Sequence, residues 1–253
     1  MSDKDLAQLA EDFFQESLVS SPTSAIMRGH KKYFDQIEEL TEEKFENESE
    51  KVKNFKQRLN ELDFNSLSSK EKVTYGMLEF ALDSNSDSLI DKSWEFSAGV
   101  AGFEGFLIDY NQQMFIPDIE SADMLLKRLE LYQRFYSQIS DVQKKGLENN
   151  RVATQRNLNR SIDQLESYLE TSLDSDPLLL VNFAPTITEK ETSEWKEKAK
   201  EVIEKYVRPS VMNYLDQLRV EHLPKGRTDV NPGVMWIDGG EEVYLRSLRK
   251  YTG

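Results

Sequence analysis

The sequence predicts an all-α fold, a bundle of long amphipathic helices joined by long packed loops. Three observations support this class. Apolar residues recur every three, four or seven positions, helix start signals agree in phase with them, and no sustained stretch alternates apolar and polar residues as a strand would. With 253 residues the chain can bury a core without cross-links, and we expect residues 1–253 to form a single helical domain.

The apolar spacing predicts four long helices, within residues 45–62, 125–139, 158–169 and 195–206. In each of them the apolar side chains fall on one side and the charged side chains on the other. Pro209 lies in the pattern that continues the fourth helix, and we expect it to kink that helix or split it in two.

Helix starts are marked by side chains that can accept hydrogen bonds from the first backbone N–H groups. These are the capping boxes Ser68/Glu71 and Thr188/Glu191 and the N-caps Thr41 and Ser121. Their positions agree with the apolar spacing, so pattern and caps predict the same elements.

Loops are predicted at residues 20–35, 83–118, 175–188 and 222–236. The second is longer than most structureless connections, and its aromatic residues favour packing against the helices. The apolar run in the third loop is expected to be buried between helices for the same reason.

Composition excludes several classes of function. The 46 acidic residues outnumber the 32 basic ones and give a net charge of -14, which repels nucleic acid and anionic lipid. The absence of cysteine excludes disulfides and thiol chemistry. The first residues resemble neither a signal peptide nor a membrane span. The chain as given is therefore expected to be cytoplasmic, or periplasmic or secreted if a signal peptide was removed.

One segment resembles the calcium loop of an EF-hand. Asp83, Asn85 and Asp87 occupy its first three ligand positions. However, Ser88 stands where glycine makes the sharp turn, and Trp94 stands where a glutamate would bind the ion with both oxygens. We therefore expect a solvated turn after a helix, with at best millimolar affinity for calcium.

No complete catalytic or metal-binding motif can be found. The chain contains two histidines, His30 and His222, outside any HExxH pattern, and a zinc site built from both with a glutamate is a minor alternative to ordinary loop or helix-end histidines. Gly99, Gly102 and Gly105 match neither the phosphate loop nor the dinucleotide fingerprint, and no nucleophile elbow is present. We assign no catalytic, cofactor-binding or metal-binding residue.

Short motifs spread over nearly the whole chain resemble the bacterial family DUF885. A Ser-Pro-x-x-Ala turn and a Gly-x-His-x-Tyr-Asp-like stretch match Ser21, Pro22, Ala25, Gly29, His30, Tyr33 and Asp35, with one extra residue before the aspartate. Residues 125–169 are similar to the long helix pair of that family, and residues 233–253 are similar to its Trp, Asp-Gly and Leu-Arg-x-x-Thr stretch.

The resemblance implies that the chain is the N-terminal half of a larger, two-lobed protein. In that family a zinc-peptidase-like signature, a His-Glu pair followed by Pro-Gly-His, lies in the half that this sequence does not include. The resemblance therefore implies no cofactor in this chain, with zinc only in the other half. It also implies that the chain forms one wall of a substrate cleft.

The expected partners are the C-terminal half of the same protein and a peptide substrate. The candidate docking surface for that half consists of Val234, Met235, Trp236, Tyr244 and Leu248. These apolar residues stand next to the expected continuation of the chain, and such surfaces promote association when they are left uncovered. Val243 is expected to be exposed with them, and Asp238 is expected to cap the last helix.

Two hypotheses of function follow. In the first, the chain is the non-catalytic, cleft-forming part of a metallopeptidase-like protein and is inactive alone. In the second, it is a stand-alone helical binding or interaction module. The coding sequence downstream of Gly253 separates the two, because only the first hypothesis requires a His-Glu motif there.

Overall fold

The computed structural model describes residues 3–98, 108 and 110–252. Within these residues the elements are helices apart from two strands of two residues each, so the predicted all-α class is confirmed. The loop glycines Gly99, Gly102 and Gly105 lie outside the described residues. None of the described helices has the length and apolar character needed to cross a membrane.

The chain divides into two compact units. The first contains Met1–Ser20, Thr41–Ser93 and Glu241–Gly253, and the second contains Ser21–Leu40 and Trp94–Gly240.

The first unit is built from long helices. These are α1 (Asp3–Ser20), α3 (Glu42–Asn60), α4 (Ser69–Asp91) and, from Glu241 onward, α10 (Gly240–Thr252). Its core joins side chains of α1, α3 and α4, including Leu6, Phe55 and Leu82. The helix predicted within residues 45–62 is confirmed, because Val52, Phe55 and Leu59 are its buried side chains.

The second unit holds the remaining helices. These are α2 (Pro22–Met27), α5 (Ile119–Glu130), α6 (Tyr132–Glu148), α7 (Gln155–Glu170), α8 (Glu189–Val202) and α9 (Arg208–Gln217). Two short parallel strands, β1 (Phe115–Ile116) and β2 (Asn182–Phe183), pair Phe115 with Asn182 and Ile116 with Phe183. Trp195 of α8 is buried, and its Nε1 donates to the carbonyl of Ala122 at 2.7 Å.

Most predicted helix starts are confirmed. Ser68/Glu71 and Thr188/Glu191 form complete capping boxes, and the Thr41 side chain accepts from the N–H of Lys44. The prediction of Ser121 as an N-cap is wrong. Asp118 is the N-cap of α5, because its backbone is extended and its Oδ1 accepts from both the N–H and the hydroxyl of Ser121.

Three other predictions needed correction. The pattern over residues 125–139 belongs to two helices, since α5 ends at Glu130 and α6 begins at Tyr132. The segment predicted as a loop at residues 20–35 contains α2. In the third loop Leu178 and Leu179 are buried as expected, whereas Leu180 is exposed.

The helix around Pro209 changes its hydrogen-bonding type. A π-helical turn (Ile203–Val207) connects α8 to α9, and Pro209 lies in the first turn of α9. A second π turn (Leu218–His222) follows α9 directly. The chain stays helical from Glu189 to His222, so the helix is not split in two at Pro209, and a π turn precedes the proline.

Candidate functional site

The outer face of α4 is a row of residues spaced by alternating steps of four and three. The row consists of Val73, Met77, Phe80, Ser84, Asp87 and Asp91. This spacing places them along one side of a helix. Its first half is apolar and open to solvent, since Val73 is 62% exposed, Met77 69% and Phe80 47%. Leu78 and Leu82 of the same helix are buried in the core of the first unit, so α4 is apolar on two sides.

Gly76 lies in the middle of this open apolar face. A Cβ atom built at this position would meet no atom of the described chain within 4 Å. A glycine inside a helix costs about 1 kcal/mol relative to alanine. No packing within the described residues therefore requires a glycine at this position.

The second half of the α4 face binds the last helix. Arg246 of α10 pairs with Asp91, and Arg249 pairs with Asp87. As the residue number rises along α10, that of its partner on α4 falls, so the two helices run antiparallel. The hydrogen bond to Asp87, together with its charge, raises the pKa of Arg249 above its ordinary value.

These ion pairs correct the interpretation of residues 83–94. The segment that resembled a calcium loop is helical as far as Asp91, and Asp83, which pairs with Lys56 at 2.7 Å, comes four residues before Asp87. The prediction of a solvated turn beginning at Asp83 is therefore wrong, because residues 83–91 belong to the helix. The helix ends at Lys92, whose φ of 45° places it in the left-handed region.

The predicted docking residues lie in both units. In the second unit Met235 and Trp236 are exposed in a short 3-10 turn, and Val234 is half-buried there. In the first unit Tyr244 and Leu248 are exposed on α10. Their role as a docking surface stays a prediction.

Two further expectations for this region were wrong, and one residue was overlooked. Val243, expected to be exposed beside Tyr244, is buried. Asp238 was expected to cap the last helix, but that helix begins at Gly240 and the Asp238 carboxylate accepts from Asn150 Nδ2 at 3.0 Å. Tyr251 is 84% exposed and follows Leu248 by three residues, a spacing that was visible in the sequence.

The second unit contains a polar groove between α6 and α9, with a cavity volume of about 400 Å³. One wall comes from α6, and the other comes from the first π turn and α9. The lining residues are Gln133, Tyr136, Ser137, Ser140, Asp141, Lys144, Lys205, Tyr206, Pro209, Ser210, Asn213, Tyr214 and Gln217. On each wall they recur at three or four positions, so each wall is one helix face. We refer to this feature as the polar groove.

The floor of the polar groove is aromatic and is tied to its surroundings by hydrogen bonds. Tyr136 and Tyr214 are buried, and their ring centroids lie 5.6 Å apart. The Tyr214 hydroxyl donates to Gln143 Oε1 at 2.8 Å, and Gln143 Nε2 donates to the carbonyl of Ser97 at 3.0 Å. Gln217 Nε2 donates to the carbonyl of Ser140 at 3.2 Å, which ties the two walls together.

The groove wall formed by α9 lies between the two π turns. Such turns are rare and are found frequently at functional sites. Pro209 has no N–H group, so it cannot donate to the carbonyl of Lys205 one α-helical turn earlier. The hydroxyl of Ser210 donates to the carbonyl of Tyr206 at 2.6 Å. The backbone at the groove edge therefore departs from ordinary helical bonding.

The two histidines do not build a metal site within the described residues. His222 closes the second π turn and is buried, with Nδ1 3.4 Å from the carbonyl of Gln217. Burial lowers its pKa below the usual value, since the charged ring would lose its hydration. His30 lies before a short 3-10 turn and is half-buried. In the described part of the chain no three His, Asp or Glu side chains are grouped as metal ligands would be.

The motif-bearing segment Ser21–Leu40 is held by a buried arginine of α5. Arg128 donates to the carbonyl of Gln36 and to the hydroxyl of Thr23, and it lies 3.7 Å from a carboxylate oxygen of Glu38. Glu38 in turn accepts from the N–H of Thr23 at 2.9 Å and from its hydroxyl at 2.7 Å. These contacts give Thr23 and Glu38 a structural role.

Comparison with known proteins gives a family match and a fold match. Residues 22–253 match the family model described as "Bacterial protein of unknown function (DUF885)". The crystal structure titled "putative lipoprotein from Colwellia psychrerythraea" superimposes with a TM-score of 0.80 at 14% sequence identity. That match covers 98% of this chain and 46% of the other, so this chain spans less than half of the solved protein. No curated protein matches the chain.

Proposed function

Since the chain belongs to the bacterial family DUF885, we propose that it is the non-catalytic helical part of a longer, two-lobed protein and forms one wall of a substrate cleft. The observation that carries the proposal is the unequal coverage in the structural comparison. Nearly all of this chain has a counterpart in the solved protein, while more than half of that protein has none here. The other lobe is the proposed partner.

The uncovered apolar faces support this proposal. A helix that is apolar on two sides is normally covered on both. The Val73, Met77 and Phe80 face of α4 is open, as are Tyr244 and Leu248 on α10 and Trp236 in its 3-10 turn. Each is a docking surface for the other lobe in this proposal.

The chemistry of the whole protein is proposed from the family resemblance. We infer a zinc metallopeptidase-like activity with a peptide substrate, in which the metal and its ligands belong to the other lobe. The reading frame downstream of Gly253 is expected to encode a His-Glu pair followed by Pro-Gly-His. A stop codon followed by unrelated sequence would contradict this proposal.

The docking role can be tested on the chain itself. An apolar face that is normally covered should bind a hydrophobic dye such as ANS and promote self-association. Met77→Ser and Trp236→Ser are each expected to reduce dye binding without changing the helical circular dichroism. Val230→Ser is the control, since Val230 is 83% exposed in a turn and belongs to none of these faces. Equal dye binding by all three variants and the parent would contradict the docking role.

The alternative is a stand-alone helical binding module, and the polar groove favours it. The groove has a volume of about 400 Å³ and two neighbouring tyrosines at its floor, and this size and these aromatic side chains are found in small-molecule sites. Under this alternative the chain binds its ligand without any second lobe. If the chain is monomeric, binds no dye and binds a small ligand, the stand-alone binding module is favoured.

A further inference from the structure

The outer face of α4 is covered along only part of its length. Asp87 and Asp91 lie in the C-terminal part of this face, and their side chains are 13% and 11% exposed beside the arginines of α10. Val73, Met77 and Phe80 continue the same face towards the N-terminus of the helix and are exposed in the described chain. The open apolar part of α4 is thus the direct continuation of a part that α10 covers.

The direction of α10 follows from its two ion pairs with α4. Arg246 pairs with Asp91, and Arg249 pairs with Asp87. A step of three residues towards the C-terminus of α10 therefore corresponds to a step of four residues towards the N-terminus of α4. Both steps are close to one helical turn, so α10 is directed along the outer face of α4 towards Phe80. Since α4 has 23 residues and α10 has 13, α4 is long enough to pair with a longer helix.

We propose that the residues that follow Gly253 in the full-length protein continue α10 as a helix and cover the open apolar face of α4. This inference rests on the proposed function, in which further chain follows this one. In the same antiparallel register, positions about four, seven and eleven residues beyond Gly253 face Phe80, Met77 and Val73. These steps of four and three keep the three positions on one side of the added helix.

The burial of this face outweighs the cost of continuing the helix through a glycine. Gly253 is a poor helix former, and glycine often follows the last residue of a helix. Full burial of one large apolar side chain, however, contributes more than a glycine costs in a helix interior. The added helix covers three such side chains, so the helical continuation is favoured.

The sequence that the reading frame encodes after Gly253 is the first test. Apolar residues are expected at the three positions that face Phe80, Met77 and Val73, because these positions become buried. Charged residues at two of the three positions overturn this inference and leave the proposed function standing. A reading frame that stops at Gly253 overturns both.

Disulfide formation in the full-length protein tests the register. Residues 1–253 contain no cysteine, and any cysteine in the remainder is replaced by serine. Phe80→Cys and Val73→Cys are each combined with a cysteine at the position expected to face Phe80 or at the position expected to face Val73. These two positions are about 10 Å apart along a helix, whereas a disulfide needs Cα atoms within about 7 Å. Each thiol is expected to pair at least about tenfold faster with its facing position, and the swapped pairs are the matched controls.

Maleimide labelling of Met77→Cys measures the covering independently of the register. This thiol is expected to react at least about tenfold more slowly in the full-length protein than in the 253-residue chain, and equally fast in both after unfolding in urea. Slow labelling without the expected disulfides means that another part of the other lobe covers the face, which overturns this inference alone. Disulfides of Met77→Cys between two copies also overturn it. Equal labelling of the two folded proteins overturns it together with the docking role of α4.

Discussion

Replacing Gly76 by alanine tests whether any contact within the described chain requires a glycine at this position of α4. The new Cβ would meet no described atom within 4 Å, and the residue lies inside the helix Ser69–Asp91. Alanine loses less backbone entropy than glycine when a helix forms. The substitution therefore changes helix propensity and removes no contact of the described chain.

The expected gain follows from that propensity difference. Alanine is better than glycine in a helix interior by about 0.8–1.0 kcal/mol. In a protein of this size, 1 kcal/mol corresponds to a shift in Tm of about 2–4 °C. If the two compact units unfold in separate transitions, the shift should appear in the transition of the unit that contains α4.

The assay is thermal and urea unfolding followed by circular dichroism, with Gly146→Ala as the matched control. A Cβ at Gly146 would lie 2.2 Å from the carbonyl oxygen of Glu95 and 2.7 Å from that of Arg151. Because both atoms are backbone, we expect Gly146→Ala to cost about 1–3 kcal/mol. A lower Tm for Gly76→Ala, or an unchanged one for Gly146→Ala, would refute the reasoning.

Three further predictions follow from buried and charged contacts. Arg128→Ala should lower the unfolding free energy in urea by about 3–5 kcal/mol, because it removes a buried cation from its ion pair with Glu38 and from two hydrogen bonds, and a wild-type value would contradict this role. Hydrogen bonds from Lys31 and then Ser121 lower the pKa of Asp118 from 3.8 to about 2. The stability that depends on ionised Asp118 is thus present above pH 3.8 and lost as the pH falls through about 2, so acid unfolding curves of wild type and Asp118→Asn should converge there. Calorimetry should find no micromolar calcium site, because Asp83 lies on a helix and pairs with Lys56, and chelators should leave the Tm unchanged.

Sequence alone determined the helical class and three of the four predicted helix starts. The Ser68/Glu71 and Thr188/Glu191 capping boxes could be predicted because their hydrogen bonds join residues three positions apart. The buried faces of α3 and α7 could be predicted because helical periodicity places apolar residues on one side. These are local interactions, and their partners are adjacent in the sequence.

Tertiary structure alone decided the roles of the charged and polar residues. Asp87 appeared to follow a calcium-loop pattern, whereas the arginine partners of Asp87 and Asp91 come from α10, more than 150 residues later in the chain. The polar groove is formed by faces of α6 and α9, which lie about 60 residues apart in the chain. From the sequence, each face is predicted to be an ordinary solvated surface. A residue's local pattern indicates which side of a helix it occupies. Which element covers that side depends on packing between distant segments, and this cannot be predicted from the spacing of neighbouring residues.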